Sequence, residues 1–228
     1  MTMPFYVAPE QVMQDRADYA RKGIARGRSL VSVICKEGIL ICTENQSATL
    51  RKISEIYDRI AFGGVGRYNE FDQLRIAGVR HADLKGYQYS REDVDAQSLA
   101  NNYAQMLGQI FTHEMKPMEV EILVAEVGSE ISQDQLFHIN YDGTVRDEKN
   151  FAVLGGDTAP IREQLEQSYR ENMPIVNGLK VAVAALAGED RELSGEDVEA
   201  AILERSNPQR AFRRLSDAEI EQMIAAGD

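Results

Sequence analysis

Strand-like segments in this chain come in blocks joined by tight turns, and helical segments come in pairs between the blocks. Leu30–Val31–Ser32–Val33–Ile34–Cys35 reads as a strand, Lys36–Glu37–Gly38 as a turn, and Ile39–Leu40–Ile41–Cys42 as the return strand. Ile53 to Tyr57 and Ile60–Ala61–Phe62 form a second pair across Asp58–Arg59. Such connections are too short for the crossover that a parallel pair needs. The order reads helix, four strands, two helices, three strands, two helices, two strands, one helix. It predicts a layered α+β domain, two antiparallel sheets with helices on their outer faces. Residues 1–228 show no linker or internal repeat and read as one domain.

The helices carry their own punctuation. Pro9 opens a helix over 10–26, with acids early (Glu10, Asp15, Asp18), bases late (Arg21, Lys22, Arg26) and Gly27 as its stop. Arg67 to His81 reads as helical. Ser90 with Asp93 predicts a capping box for a helix carrying Leu99, Tyr103, Met106, Leu107 and Ile110. After Pro117, strands are expected near Glu119–Val127, Gln135–Ile139 and Thr144–Val153, the last two separated by a turn at Asn140–Gly143. Helices follow from Thr158 and around Leu179–Leu186. A strand pair at Val198–Leu203 and Ala211–Leu215 precedes a short helix capped by Ser216 and Glu219.

Composition narrows the function classes. The net charge is −12, from 37 acids against 25 bases, and the most basic stretch, Arg16 to Arg28, is interrupted by acids. A concentrated basic surface for nucleic acid is therefore not expected. The most apolar run, VAVAALA at 181–187, is far short of a bilayer span, so no membrane role is expected either. MTMPFYVAPE lacks the basic flank and apolar core of a secretory signal, which makes the cytoplasm the expected compartment.

Few residues suggest chemistry. Gly63–Gly64–Val65–Gly66 lies between a strand and a helix, but without the spacing of a nucleotide loop, and reads as close backbone approach or a tight turn. His113–Glu114 begins like a zinc-protease motif, yet position 117 is proline, and His81 and His138 are distant in sequence. No metal or cofactor is expected. Cys35 and Cys42 read as small buried hydrophobes. No serine-nucleophile elbow occurs. The apolar start Met3–Pro4–Phe5–Tyr6–Val7 reads either as a loose tail or as an arm that packs on a neighbour.

Taken together, APEQVMQDRADYARKGIARGRSLVSV, ENQSATLRKISEIYDRIAFGGVGRYNEFDQLR, YDG, FAVLGG and EAAILERSNPQRAFRRLSDAEIEQMI resemble the proteasome alpha subunits, closely their actinobacterial branch. The resemblance covers nearly the whole chain. It implies a four-layer αββα sandwich, the N-terminal-nucleophile hydrolase-like fold, with an added N-terminal helix. It also implies a seven-membered alpha ring stacked on beta subunits, with ATPase activator tails docking on the alpha ring.

Placing RSLVSVICKEG over the opening strand of a beta subunit puts Arg28 at the nucleophilic threonine, Glu44 at the usual acid and Lys52 at the usual lysine. Arginine has no hydroxyl, so the resemblance implies a non-catalytic subunit. The alternative is a catalytic peptidase of the same fold, which would need processing near Ser29 or Thr43. The resemblance further implies that Lys52 receives the activator's C-terminal carboxylate. It makes Met3, Pro4, Phe5, Tyr6, Val7 and Ala8 (the segment 1–8), with Pro9 as the turn into the ring-forming helix, a gate arm. Thr112, His113, Glu114, Met115, Lys116 and Pro117 are a weaker expectation for the narrow part of the entrance.

Overall fold

The computed structural model describes residues 8–47, 49–189 and 191–226. Helix α1 (Pro9–Ile24) leads into strands β1 (Leu30–Cys35), β2 (Gly38–Glu44), β3 (Ile53–Tyr57) and β4 (Ile60–Gly66). Helices α2 (Tyr68–Gln88) and α3 (Ala96–His113) follow, then β5 (Val120–Glu126), β6 (Gln135–Ile139), β7 (Val145–Glu148) and β8 (Phe151–Leu154). The chain continues through α4 (Thr158–Ser168), α5 (Ile175–Ala187), β9 (Val198–Glu204), β10 (Phe212–Arg214) and α6 (Asp217–Ala225).

The strands form two five-stranded sheets, ordered β10-β9-β2-β1-β8 and β3-β4-β5-β6-β7. Every pairing is antiparallel. Strand β1 shows why the layers form. Leu30 and Ile34 point into the apolar layer between the sheets, whereas Val31, Val33 and Cys35 point outward against α4 and α5. Both faces are covered, so the strand reads as a nearly continuous apolar run. On the other sheet Phe62, Ile122, Val124 and Ile139 meet α2 and α3 through Phe71, Leu74, Tyr103 and Leu107. The result is the expected four-layer αββα sandwich. Helix α1 lies across the inter-sheet layer and adds Ala17, Ala20 and Ile24 to its core.

Several local expectations change. The middle block has four strands, because Thr144–Val153 divides into β7 and β8, which belong to different sheets. The turn at Lys149–Asn150 carries the chain from one sheet to the other. Helix α2 runs past His81 to Gln88, since nothing in that stretch breaks a helix and its inner face keeps contact with the sheet. Ser90 caps only a single 3-10 turn, Arg91–Asp93. The N-cap of α3 is instead Asp95, which accepts a hydrogen bond from the Ser98 N–H at 2.7 Å. Ser216 and Glu219 form the expected capping box on α6. Helix α1 ends at Ile24, two residues before the expected limit.

The glycines of β4 serve close packing, as expected. A Cβ on Gly63 would lie 2.8 Å from Leu30 of the opposite sheet, and one on Gly64 would lie 2.6 Å from the ring of Phe71 on α2. Gly66 has φ +104°, and a Cβ there would lie 2.0 Å from the Glu119 carbonyl. Strand β4 is thus squeezed between two layers that both approach its backbone. Gly64→Ala is expected to destabilise the fold by about 1–3 kcal/mol through overpacking against Phe71. The shift of the urea unfolding midpoint measures it.

Candidate functional site

Three separate stretches converge at one end of the sandwich: the residue pair before β1, the end of β2 and the start of β3. Lys52 is half-buried there. Its Nζ donates to the Arg28 carbonyl at 3.2 Å, the Glu44 carbonyl at 3.1 Å and Thr43 Oγ1 at 3.3 Å. Glu44 turns its carboxylate the other way, toward Arg28 Nε at 3.3 Å and Arg191 Nη1 at 3.2 Å. The structure therefore brings together Arg28, Glu44 and Lys52.

Burial is the largest influence on the Lys52 ammonium and lowers its pKa; Glu199 and Glu44 pull it back up, and Arg28 lowers it further. The outcome is a pKa of about 8. Among the described residues no carboxylate stands within ion-pair distance of Nζ, since its three partners are neutral oxygens.

Glu199 holds this corner in place, and sequence reasoning missed it. It is almost fully buried on β9. Its carboxylate accepts the backbone N–H groups of Lys52 at 2.9 Å and Ile53 at 3.1 Å, and the Asn45 side-chain amide at 2.7 Å. Arg214 closes an ion pair with it and donates to the Ile53 carbonyl at 2.6 Å. A lone acid inside the apolar EAAIL run was the available signal, because a charge on a buried strand needs a partner.

The geometry offers no peptidase nucleophile at Arg28. Ser29 Oγ donates to the Gly155 carbonyl at 3.0 Å, and Thr43 Oγ1 donates to the Ser29 carbonyl at 2.8 Å. Both lie within the chain behind α1, so neither has a free amine to act as base. The two thiols are buried, with burial as the main cause pushing each up to about 12. Among the described residues no group of three His, Cys, Asp or Glu side chains could hold a metal ion, and no helix is long and apolar enough to cross a membrane.

Of the arm residues, Met3, Pro4, Phe5, Tyr6 and Val7 lie outside the described residues. Ala8 is extended and Pro9 begins α1. The loop after α3 is bound to α1 from its first residues. Arg16 donates to the carbonyls of Ile110 at 3.2 Å, Phe111 at 2.7 Å and Glu114 at 2.5 Å, which satisfies the open end of α3. Thr112 and His113, expected in the loop, are instead the last residues of α3: Thr112 Oγ1 donates to the Gly108 carbonyl, and His113 Nδ1 lies 3.2 Å from the Gln109 carbonyl. Lys116 pairs with Glu70 at 2.6 Å and Glu119 at 3.0 Å, and its ammonium lies over the Tyr19 ring. Met115 is fully exposed, and Pro117 ends the loop before β5. This loop and the Lys52 corner are separate places, joined by α1.

A sandwich of this kind, with an added helix over its inner layer and arginine at the nucleophile position, defines a non-catalytic member of the N-terminal-nucleophile class. The family of proteasome subunits matches residues 24–203, and the chain belongs to it. Its relatives are of the alpha type. The proteasome subunit alpha of Acidimicrobium ferrooxidans is 60% identical over 224 residues, covering 98% of this chain and 97% of the relative. That of Thermobifida fusca is 54% identical over 98% of this chain and 91% of its own, and that of Thermomonospora curvata is 50% identical over the full length of both. The likeness places the chain with the non-catalytic, ring-scaffolding subunits of actinobacterial proteasomes.

Glu199→Ala leaves Arg214 and two buried N–H groups without their acceptor. The expected loss is about 2–4 kcal/mol of stability, read from chemical unfolding beside the parent chain.

Proposed function

We propose that seven copies of this chain form each outer ring of a proteasome core, hold the catalytic beta rings, gate the substrate entrance and receive ATPase activators at Lys52. The observation that carries the docking role is the Lys52 ammonium. It is pre-positioned by three neutral oxygens and, among the described residues, left without a carboxylate in contact. A C-terminal carboxylate arriving from an activator tail would supply the missing anion, and partial burial would strengthen the pair. The cytoplasm is the compartment that this role implies, and neither a membrane nor nucleic acid enters it.

Gating falls to the segment 1–8, with Thr112–Pro117, the end of α3 and the loop after it, as the rim of the entrance. The support for this pairing is α1, which carries the arm at its first residue and binds the loop through Arg16. From the end of this helix at Ile24 the chain turns through Gly27 to Arg28, whose carbonyl accepts from Lys52. Docking and gating would then sit on either side of α1 along the chain.

Lys52→Ala is expected to leave rings and basal peptide hydrolysis intact while activator-stimulated proteolysis drops to the unstimulated level. Undiminished stimulation would remove Lys52 from the docking role. The depressed pKa adds a pH signature. Docking needs the charged form, so the affinity of an activator tail peptide should fall as pH rises through about 8. The limiting slope is about tenfold per pH unit, measurable by titration of the assembled particle. For the gate, trimming residues 2–8 should speed hydrolysis of small peptides by the particle without an activator. An unchanged rate would count against the arm.

A further inference from the structure

A cavity of about 350 Å³ lies where the edge strands β7 and β8 meet, with Lys52 not among its lining residues. Arg21, Arg146 and Arg162 line it in a chain whose net charge is −12. His138 forms part of its wall, only 4% exposed. Arg146 is the direct cross-strand partner of His138, so both side chains project from the same face of the sheet.

The acids in this cavity are already satisfied. Glu121 accepts the Gly155 N–H at 2.9 Å, with His138 Nε2 3.3 Å away, and Asp142 accepts the Thr144 N–H at 2.9 Å. Its donors are satisfied only in part. His138 Nε2 is taken up by Glu121, which leaves its buried Nδ1 as the ring nitrogen without a partner among the described residues. Arg21 is taken up by Asp18 and Tyr141, and Arg162 by Glu148 and the Phe151 ring, whereas Arg146 makes no hydrogen bond or ion pair within 4 Å among the described residues. Thr158, the first residue of α4, also borders the cavity. Asp157, at the N-cap, makes no side-chain cap, so the positive end of that helix is left to the cavity.

From three arginines around one cavity, with Arg146 and the buried His138 Nδ1 left unpartnered among the described residues, we infer that the cavity binds a compact oxyanion, of the phosphate or carboxylate class. The anion is either free in solution or the side chain of an acid on a neighbouring copy of the chain. Arg146 is its main charge partner, His138 its buried hydrogen-bond partner, and the start of α4 its third side. This site is independent of the Lys52 reading.

The chain has three histidines, so imidazole NMR resolves the site directly. Inorganic phosphate is titrated at constant ionic strength into the full chain, alone and assembled with its beta subunit. The expected result is a saturable shift of His138, with His81 and His113 unmoved. Arg146→Ala, a change at an exposed position, should weaken that response at least about tenfold, as loss of a charge-assisted pair does. A phosphate response in the assembled particle identifies a free oxyanion. A His138 signal already at its bound position in the phosphate-free particle, and displaced by Arg146→Ala, identifies a neighbour's carboxylate. No shift in either form, an equal shift of all three histidines, or an unaltered response in Arg146→Ala would overturn the site.

Discussion

A single buried carboxylate joins the two sheets where their strands begin and end. Glu199 belongs to β9 of one sheet, yet it accepts the N–H groups of Lys52 and Ile53, where β3 of the other sheet starts. Arg214 neutralises it and reaches the same strand through the Ile53 carbonyl. Apolar layers slide easily over one another, because the hydrophobic effect has no direction. A buried acid with four fixed donors has one arrangement, since any other leaves charge unpaired in a poor solvent for it. The position of the Lys52 ammonium follows from that arrangement.

The same corner explains how the fold of a peptidase is put to another use. Arg28 stands where the nucleophile would be, and its guanidinium joins Arg191 on Glu44. Lys52 turns from the Glu44 carboxylate to backbone and hydroxyl oxygens. An acid and a lysine that could serve proton transfer are thereby separated: the acid anchors two arginines, and the lysine rests on neutral oxygens. Helix α1 covers the inner layer and ends beside this corner, while Arg16 near its middle ties it to the loop after α3. Helix α1 therefore binds one of the places where regulation is proposed and leads along the chain to the other.

Much of this architecture was legible from the chain. The strand blocks, the paired helices, the Ser216–Glu219 cap and the close-packing role of the β4 glycines are local signals, and local chemistry produces them. The division of Thr144–Val153 between two sheets was not legible, because only Lys149 and Asn150 separate β7 from β8, and β8 finds its partner in β1, more than a hundred positions back in the chain. Ser90 misled for a related reason: it does cap a turn, but Asp95 lies where the packed axis of α3 begins.

The site divides in the same way. Lys52, Arg28 and Glu44 could be picked out by lining the chain up with a known family, because the order of residues along a strand is a one-dimensional property. Glu199, Arg214 and the His138 cavity could not. Their meaning comes from residues more than a hundred positions apart, or from different strands, and the spacing of a sequence does not encode distance across a sheet. The sequence alone determined the layered sandwich and the loss of a nucleophile. Only the tertiary structure decided which way each charged side chain faces, because that choice rests on the nearest available partner in a low-dielectric interior.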